Sequence, residues 1–217
     1  MSEKTEILYR KRIHFFDEDF FEDINTEEKA YWLGFLYGDG CVRSNLRSLA
    51  ICLKSSDKNH LEKLQKSLKS NYKIYECKDR PVVYLSINST KLVRDLVNLG
   101  CVPNKSQKDL HIPRIESELQ RHFIRGYMDA DGCVRLKGKY KYISVWFSGC
   151  KTLISEIFDY FFENGIVENR NKIRISPLNN RTHEFNYCSA PARQILDYLY
   201  NDCTICLDRK YKIYKRC

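Results

Sequence analysis

Polar and apolar residues alternate along several short segments of this chain, and this period of two predicts strands with one buried and one polar face. Residues 82–88, 142–148 and 172–176 follow the pattern. In the last of these segments, Ile173 and Ile175 are expected on the apolar face, opposite the polar residues between them. The alternation favours antiparallel sheets covered on one side only.

Helical segments separate the predicted strands. The first of them has Asn25 or Thr26 as its N-cap and acidic residues in its first turn, and Gly40 takes the position where it stops. A second such helix is predicted over residues 117–131, and a short C-terminal helix near 208–215. The order helix, strand, strand, helix, strand, strand, helix is thus predicted twice. The expected class is α+β, with two pseudo-symmetric αββαββα repeats.

A repeated segment, which we call the motif, marks the two halves. Residues 32–43 read WLGFLYGDGCVR, and residues 124–135 read IRGYMDADGCVR. The copies are 92 positions apart and share their last five residues. The pattern predicts four parts: an acidic and aromatic lead-in over 1–24, a first repeat over 25–100, a linker over 101–116 and a second repeat over 117–217.

Small residues recur at a spacing of four within each motif, which places them on one face of each helix: Gly34, Gly38, Gly126 and Ala130. Small side chains allow two helices to approach closely. If the motif helices pack along these stripes, Asp39 and Asp131 meet at their C-terminal ends. Asp-Gly is also common where a helix ends in a turn, but its occurrence in two copies favours a functional site.

Paired carboxylates beside two negative helix ends favour a divalent cation. An oxygen-rich site of this kind suits Mg²⁺, with water and substrate phosphate as further ligands. The chemistry that fits is hydrolysis of a phosphodiester bond.

The charge balance indicates a polyanionic partner. The chain has 37 Lys and Arg against 28 Asp and Glu, a formal charge of +9. Residues 31–217 alone carry 32 basic and 19 acidic residues, because seven acids fall within residues 17–28. A basic body of this size suits nucleic acid, and the alternative interpretation is a solvated basic surface.

Further features indicate the cellular location of the protein and the state of its cysteines. No apolar run approaches the roughly 20 residues of a membrane span, and the N-terminus lacks a signal pattern, so an intracellular location is expected. Ten cysteines are then expected as reduced thiols. Cys203 and Cys206 form a Cys-x-x-Cys pair without a second pair at ligand spacing, which argues against structural zinc.

Residues 32–40 and 124–132 resemble the two copies of the LAGLIDADG motif of homing endonucleases, in the single-chain form with two repeats. The second copy, FIRGYMDADG over residues 123–132, is the closer match. The first copy has Tyr37 in place of the earlier aspartate of the motif and keeps Asp39.

The resemblance implies a DNA-binding saddle of antiparallel sheets with the motif helices at its centre. It implies that Asp39 and Asp131, together with the preceding Gly38 and Ala130, hold Mg²⁺, for which Mn²⁺ can substitute. Each aspartate would then serve one DNA strand and leave short 3′ overhangs.

Two basic residues complete the implied catalytic set. Lys105 and Lys210 each follow the last long helix of their repeat, where family members place basic residues around the reacting phosphate. Either could stabilise the charge that develops on the phosphate. The alternative is a surface lysine on the DNA backbone, and Arg209 could replace Lys210.

The polar faces and turns of the predicted strands supply candidate DNA contacts to phosphates or base edges. The candidates are Arg43, Arg135, Lys137, Lys139, Lys141, Lys172, Arg174 and Arg181. For each of them, an ordinary soluble surface is the competing interpretation.

The leading hypothesis is a monomeric, Mg²⁺-dependent endonuclease that cuts a long asymmetric site in double-stranded DNA. A second hypothesis is a non-catalytic binder on the same scaffold, either a maturase that binds intron RNA or a DNA-binding regulator. A third is the endonuclease insert of an intein, which the absence of terminal splicing residues disfavours.

Overall fold

The computed structural model describes residues 13–139, 141–177, 179 and 181–216. Residues 1–12 of the predicted lead-in lie outside the described residues. The part of the lead-in that is described has no regular helix or strand, and it buries Phe20, Phe21 and Ile24 in the core.

The elements of the first half follow the predicted order. They are α1 (Glu27–Asp39), β1 (Gly40–Val42), β2 (Ser48–Lys54), α2 (Lys58–Ser67), β3 (Tyr75–Glu76), β4 (Val82–Asn88) and α3 (Thr90–Asn98). The Thr26 side chain caps α1 by accepting from Lys29 N, and Ser89 caps α3 by accepting from Leu92 N. Both caps satisfy backbone donors that a helix start leaves unpaired.

The second half repeats the same order and adds one helix. Its elements are α4 (Ser117–Asp131), β5 (Cys133–Lys137), β6 (Tyr142–Gly149), α5 (Lys151–Glu163), β7 (Arg174–Ile175), β8 (His183–Cys188), α6 (Ser189–Tyr200) and α7 (Asp208–Tyr214). Within the described part of the chain, no helix is both long enough and apolar enough to cross a bilayer.

Each half contains one antiparallel sheet of four strands. The strand orders are β1-β2-β4-β3 and β5-β6-β8-β7, so the two sheets have the same topology. Helices α2 and α3 pack on one face of the first sheet, and α5 and α6 pack on one face of the second. We call the opposite faces the first and second open faces. The predicted α+β class with two equivalent repeats is therefore confirmed.

Alternation explains the buried faces of the long strands. Val83, Leu85 and Ile87 of β4 are fully buried, while Tyr84 between them is 41% exposed. The short strand β7 departs from the prediction for residues 172–176. It spans only two residues, and Ile175 is 55% exposed while the following Ser176 is buried. The expectation that Ile175 faces the core was wrong, because β7 is an edge strand that pairs with β8 for only two residues.

Candidate active site at the crossing of the motif helices

The motif helices α1 and α4 touch backbone to backbone. A methyl group added at Gly34 would lie 1.9 Å from Phe123 O, and one added at Gly126 would lie 1.9 Å from Tyr31 O. One turn further on, a methyl group at Gly38 would lie 2.3 Å from the Ala130 Cβ. Small residues at these positions therefore permit the close crossing.

The crossing brings the two motif aspartates to one place. Asp39 and Asp131 are the last residues of α1 and α4. A methyl group at Gly38 would lie 3.2 Å from Asp131 Cγ, so the Asp131 carboxyl lies against the end of the other motif helix. Asp39 is half-buried and Asp131 is more exposed. Both carboxyls also lie at helix C-termini, where the backbone carbonyls add negative potential.

Burial raises the pKa of both motif aspartates. The pKa of Asp39 is raised to about 6, first because burial removes water from the carboxyl and then because the Asp131 carboxylate repels its charge. Loss of water raises the pKa of Asp131 too. The positive charges of Lys105 and Lys210 oppose the rise at both carboxyls.

Lys105 and Lys210 each reach the end of one motif helix. Lys105 donates to Gly38 O at the end of α1. Lys210, in α7, donates to Met128 O at 2.6 Å, to Asp129 O at 2.8 Å and to Gly132 O at 2.5 Å. Both lysines thus neutralise carbonyl ends of the helices that carry the motif aspartates.

The two lysines differ in access to a ligand. Lys105 is half-buried and borders a cavity of about 590 Å³ that Asp131 and Arg181 also line. Lys210 is 2% exposed, and burial lowers the pKa of its ammonium group to about 8. Its three donated hydrogen bonds match the three protons of an ammonium group. In this arrangement Lys210 holds the end of α4 in place, and Lys105 is the lysine that faces open space.

A buried polar network centred on Asp129 stabilises the C-terminal end of α4. Asp129 accepts from Tyr31 OH at 2.8 Å, Tyr200 OH at 2.6 Å and Leu207 N at 2.7 Å. Asp129 is fully buried, so it belongs to the packing between the halves and lies apart from the exposed carboxylates. Its counterpart Tyr37 donates to Leu99 O.

A second buried contact joins the halves near the start of α1. The fully buried Arg125 donates to Glu27 Oε1 at 2.7 Å, and also to Ile205 O and Leu199 O at 3.1 Å each. The buried charge is therefore paired and its donors are occupied, as burial in an apolar interior requires.

The predicted DNA-contacting residues do not share one environment. Arg135 and Lys137 of β5 and Arg174 of β7 surround the Trp146 ring on the second open face, with cation-to-centroid distances of 5.2, 4.6 and 5.0 Å. Arg43 follows β1 and is exposed beside the first open face.

The remaining candidates lie outside the sheets. Lys139 and Lys141 are exposed in the β5–β6 turn, and Lys172 is exposed in the irregular segment before β7. Arg181 is exposed before β8. The prediction that Lys172 lies on a strand was wrong, because the paired strand begins only at Arg174.

The donors at the crossing fit a hard divalent cation. Asp39 and Asp131 offer carboxylate oxygens, and the backbone oxygens of Gly38 and Ala130 adjoin them, which is the donor type that Mg²⁺ prefers. Among the described residues no three His, Cys, Asp or Glu side chains form a metal cluster. Two carboxylates suit a cation that keeps water and substrate phosphate as its other ligands.

Several residues of the site were missed by the sequence patterns. Trp146, Glu184 and Asn186 form the centre of the second open face together with Arg174. Alternation already placed Trp146 on a polar face, but only the strand register shows which side chains adjoin it. The buried pair Arg125 and Glu27 had no local signal.

Two antiparallel four-stranded sheets joined by crossed motif helices, with one carboxylate at each helix end, define an α+β fold of two equivalent repeats. The family described as "LAGLIDADG-like domain" matches residues 26–99 and 118–184, which is more than half of the chain. The chain belongs to this LAGLIDADG-like family.

Solved structures share the fold. The I-LtrWI LAGLIDADG homing endonuclease bound to target DNA is 14% identical, with a TM-score of 0.52 and coverage of 88% of this chain and 90% of that one. The meganuclease I-SmaMI on uncleavable DNA is 11% identical, with a TM-score of 0.58 and coverage of 85% and 87%. Another I-SmaMI structure, bound to uncleaved DNA in the presence of calcium ions, is 7% identical with a TM-score of 0.52 and coverage of 82% and 85%.

Two curated proteins of Methanocaldococcus jannaschii match at the sequence level. Glutamine–fructose-6-phosphate aminotransferase is 27% identical over 187 residues, which are 82% of this chain and 16% of that protein. The replication factor C small subunit is 33% identical over 121 residues, which are 52% of this chain and 6% of that protein. The chain thus spans only a small part of either relative.

Proposed function

We propose that this protein is a site-specific endonuclease of double-stranded DNA that uses a divalent cation. The observation that carries the proposal is the pair Asp39 and Asp131, brought together at the ends of two crossed helices between two open-faced sheets. The pKa of Asp39 is raised by burial and, second, by repulsion from Asp131, so a bound cation would stabilise the ionised form of this carboxyl. Structural relatives have been solved bound to DNA, in one case in the presence of calcium ions, which supports both DNA and a divalent cation as ligands.

Each part of the site has a role in this proposal. Asp39 and Asp131, with the adjoining backbone oxygens of Gly38 and Ala130, hold Mg²⁺ or a substitute such as Mn²⁺. When bound, the cation supplies Lewis-acid stabilisation of the phosphate charge. Lys105 faces the same cavity and stabilises negative charge on the phosphate. Lys210 positions Asp131 by holding the end of α4.

The presence of two halves in one chain has consequences for the cleavage product and for the DNA target site. One carboxylate ends each motif helix, so each serves one DNA strand, and the proposed product is a staggered break with short 3′ overhangs. Because one chain carries both halves, the protein acts as a monomer on a long asymmetric target. The cationic side chains around the sheets contact phosphates and make binding depend strongly on salt.

The two sequence relatives support the proposal that this chain is encoded by a mobile genetic element. An aminotransferase and a replication factor are named for different activities, yet each matches this chain over a minor part of its length. A segment shared by proteins of unrelated function fits an element that moves between genes, which is the setting in which homing endonucleases act.

Cleavage of a randomised duplex-DNA library in Mg²⁺ tests the proposal. The protein should enrich cut ends that share one long sequence, and Asp39→Asn or Asp131→Asn should each abolish double-strand cleavage of that site. Asp202→Asn is the matched control, because Asp202 is exposed and its φ of 57° suits asparagine equally well. Specific binding without metal-dependent cleavage would refute the proposed endonuclease activity and favour a non-catalytic protein that binds DNA or RNA.

A further inference from the structure

The shared topology of the two sheets allows their open faces to be compared position by position. Cys41 pairs with Ala50 in the first sheet, and Cys133 pairs with Trp146 in the second. The two cysteines follow Asp-Gly at the same place in each motif copy. Ala50 and Trp146 therefore occupy equivalent positions.

The equivalence extends across each sheet through the strand register. Ser86 pairs with Ala50 where Asn186 pairs with Trp146. Tyr84 pairs with Cys52 where Glu184 pairs with Ser148. At the edge, Tyr75 pairs with Tyr84 where Arg174 pairs with Glu184. Four positions thus differ in chemistry between the halves: Ala50 for Trp146, Ser86 for Asn186, Tyr84 for Glu184 and Tyr75 for Arg174.

The first open face has an alanine and two tyrosines at three of these positions, and the fourth, Ser86, carries only a small hydroxyl group. Tyr75 and Tyr84 stack at 5.3 Å between centroids with 19° between the rings, and they are 50% and 41% exposed. Ala50 and the thiol of Cys52 lie beside them, bordering a cavity of about 330 Å³ that also reaches Asp39. The tyrosine hydroxyls can rotate and either donate or accept, so they discriminate weakly between base edges.

The second open face is charged and pre-arranged. Arg174 donates from Nε to Glu184 Oε1 at 3.1 Å and from Nη2 to Asn186 Oδ1 at 2.8 Å. Its guanidinium also lies over Trp146. A cavity of about 490 Å³ runs from Glu184 and Trp146 to Asp131. Groups fixed in advance lose little side-chain freedom when a ligand binds.

These two surfaces suit different features of a DNA major groove. Arginine, asparagine and glutamate read guanine, adenine and cytosine edges by hydrogen bonds, whereas apolar side chains contact the thymine methyl group. A wrong base opposite the second face would leave the donors and acceptors of this network that Arg174 does not already pair desolvated and without a partner, which penalises the mismatch strongly. A wrong base opposite Ala50 and the stacked tyrosines would mainly lose methyl contact, because these side chains hold no hydrogen-bonding group in a fixed place.

We propose that the two halves of the DNA target are read by different chemistry, on the basis of the Tyr75–Tyr84 stack in the first sheet and the Arg174–Glu184–Asn186 network in the second. The half-site on the second sheet is specified by hydrogen bonds, and the half-site on the first sheet is selected for thymine methyl groups. This inference rests on the proposed DNA target and adds which half of it is stringent.

The test begins with duplexes selected by the full chain from a randomised library, with Ca²⁺ as the cation. Arg174→Ala identifies the half-site on the second sheet, because base preference should relax there by roughly tenfold at one or two base pairs and nowhere else. Arg170→Ala is the charge-matched control. It removes an exposed arginine that pairs with Asp159 on the helix-covered side of the same half, and it should leave base preference unchanged.

Uracil in place of thymine then removes methyl groups from one half-site at a time without changing base pairing. We expect each contacted methyl group in the first half-site to contribute roughly fourfold in affinity, and the second half-site to be insensitive. Equal sensitivity of the two half-sites, or unchanged base preference in Arg174→Ala, would overturn this inference while the proposed function stands. If no duplex were enriched at all, the proposed function would fail with it.

Discussion

The backbone contact between α1 and α4 makes Gly126→Ala the most informative single substitution. Helix propensity alone favours alanine over glycine by about 1 kcal/mol. The added methyl group would lie 1.9 Å from Tyr31 O, and the helices would have to separate by about 1.5 Å to reach the 3.4 Å of ordinary contact. A backbone carbonyl inside a helix cannot rotate away.

The expected magnitude follows from these opposing effects. Overpacking of a tight interior lowers the free energy of unfolding by about 1–3 kcal/mol. We expect a value near the upper end of this range, because the clash is with a backbone carbonyl that cannot move aside. After the gain in propensity, we expect unfolding free energy to fall by about 2 kcal/mol, which lowers Tm by roughly 4–8 °C. Separation of the helices also moves Asp131 from Asp39, and a displacement of about 1 Å can lower a reaction rate 100-fold.

Thermal or urea denaturation measures the stability, and cleavage of the selected duplex measures the rate. Gly165→Ala is the control, since among the described residues no atom beyond Gly165 and its two chain neighbours lies within 4 Å of the added methyl group, and only its left-handed φ of 66° adds strain. It should cost about 1 kcal/mol and leave the cleavage rate unchanged. If Gly126→Ala instead raised Tm as propensity alone predicts and cleaved normally, the close crossing would not govern the site.

Three further substitutions test the buried polar groups. Arg125→Met leaves Glu27 without its buried partner and should cost about 3 kcal/mol in a denaturation experiment, whereas Lys58→Met, which breaks an exposed pair, should cause no measurable change. A small effect at Arg125 would contradict its assignment as a paired buried charge. Lys210→Met removes three hydrogen bonds to carbonyls at the end of α4 and should lower the free energy of unfolding by about 2 kcal/mol and also reduce cleavage. Lys212→Met on the exposed side of α7 serves as its control, and equal behaviour of the two variants would exclude the positioning role. Burial lowers the pKa of His60 to about 3 from 6.5, so protons bind the unfolded chain more readily, and stability falls as pH drops from 6.5 toward 3. His60→Phe should flatten this fall in urea titrations at several pH values, and an unchanged slope would refute the assignment.

Local signals in the sequence predicted the long elements well. Helix α4 and strand β4 begin and end where the patterns place them, because period and flanking residues are local properties. The edge strand predicted over residues 172–176 was too long, because only Arg174 and Ile175 are paired, and the equivalent edge strand of the first sheet, β3, also has only two residues. Pairing at a sheet edge depends on the partner strand, which a single segment does not encode.

In the candidate site, too, some residues could be predicted from the sequence and others depended on tertiary packing. The positions of Asp39 and Asp131 at adjoining helix ends follow from the small-residue spacing, which is visible in the chain itself. The role of Lys210 does not, because its contacts lie about 80 residues away in sequence and depend on how α7 packs. The centre of the second open face likewise needed the register of β6 and β8.

The interface between the halves joins two surfaces that are complementary and not identical. Tyr31 donates to the buried Asp129, yet the residue equivalent to Tyr31 in the second half is Phe123, which has no hydroxyl group. The residue equivalent to Asp129 in the first half is Tyr37. Two copies of either half would therefore lack the matching partner across their contact. The two halves are therefore better suited to pair with each other than with copies of themselves, which favours keeping both in one chain.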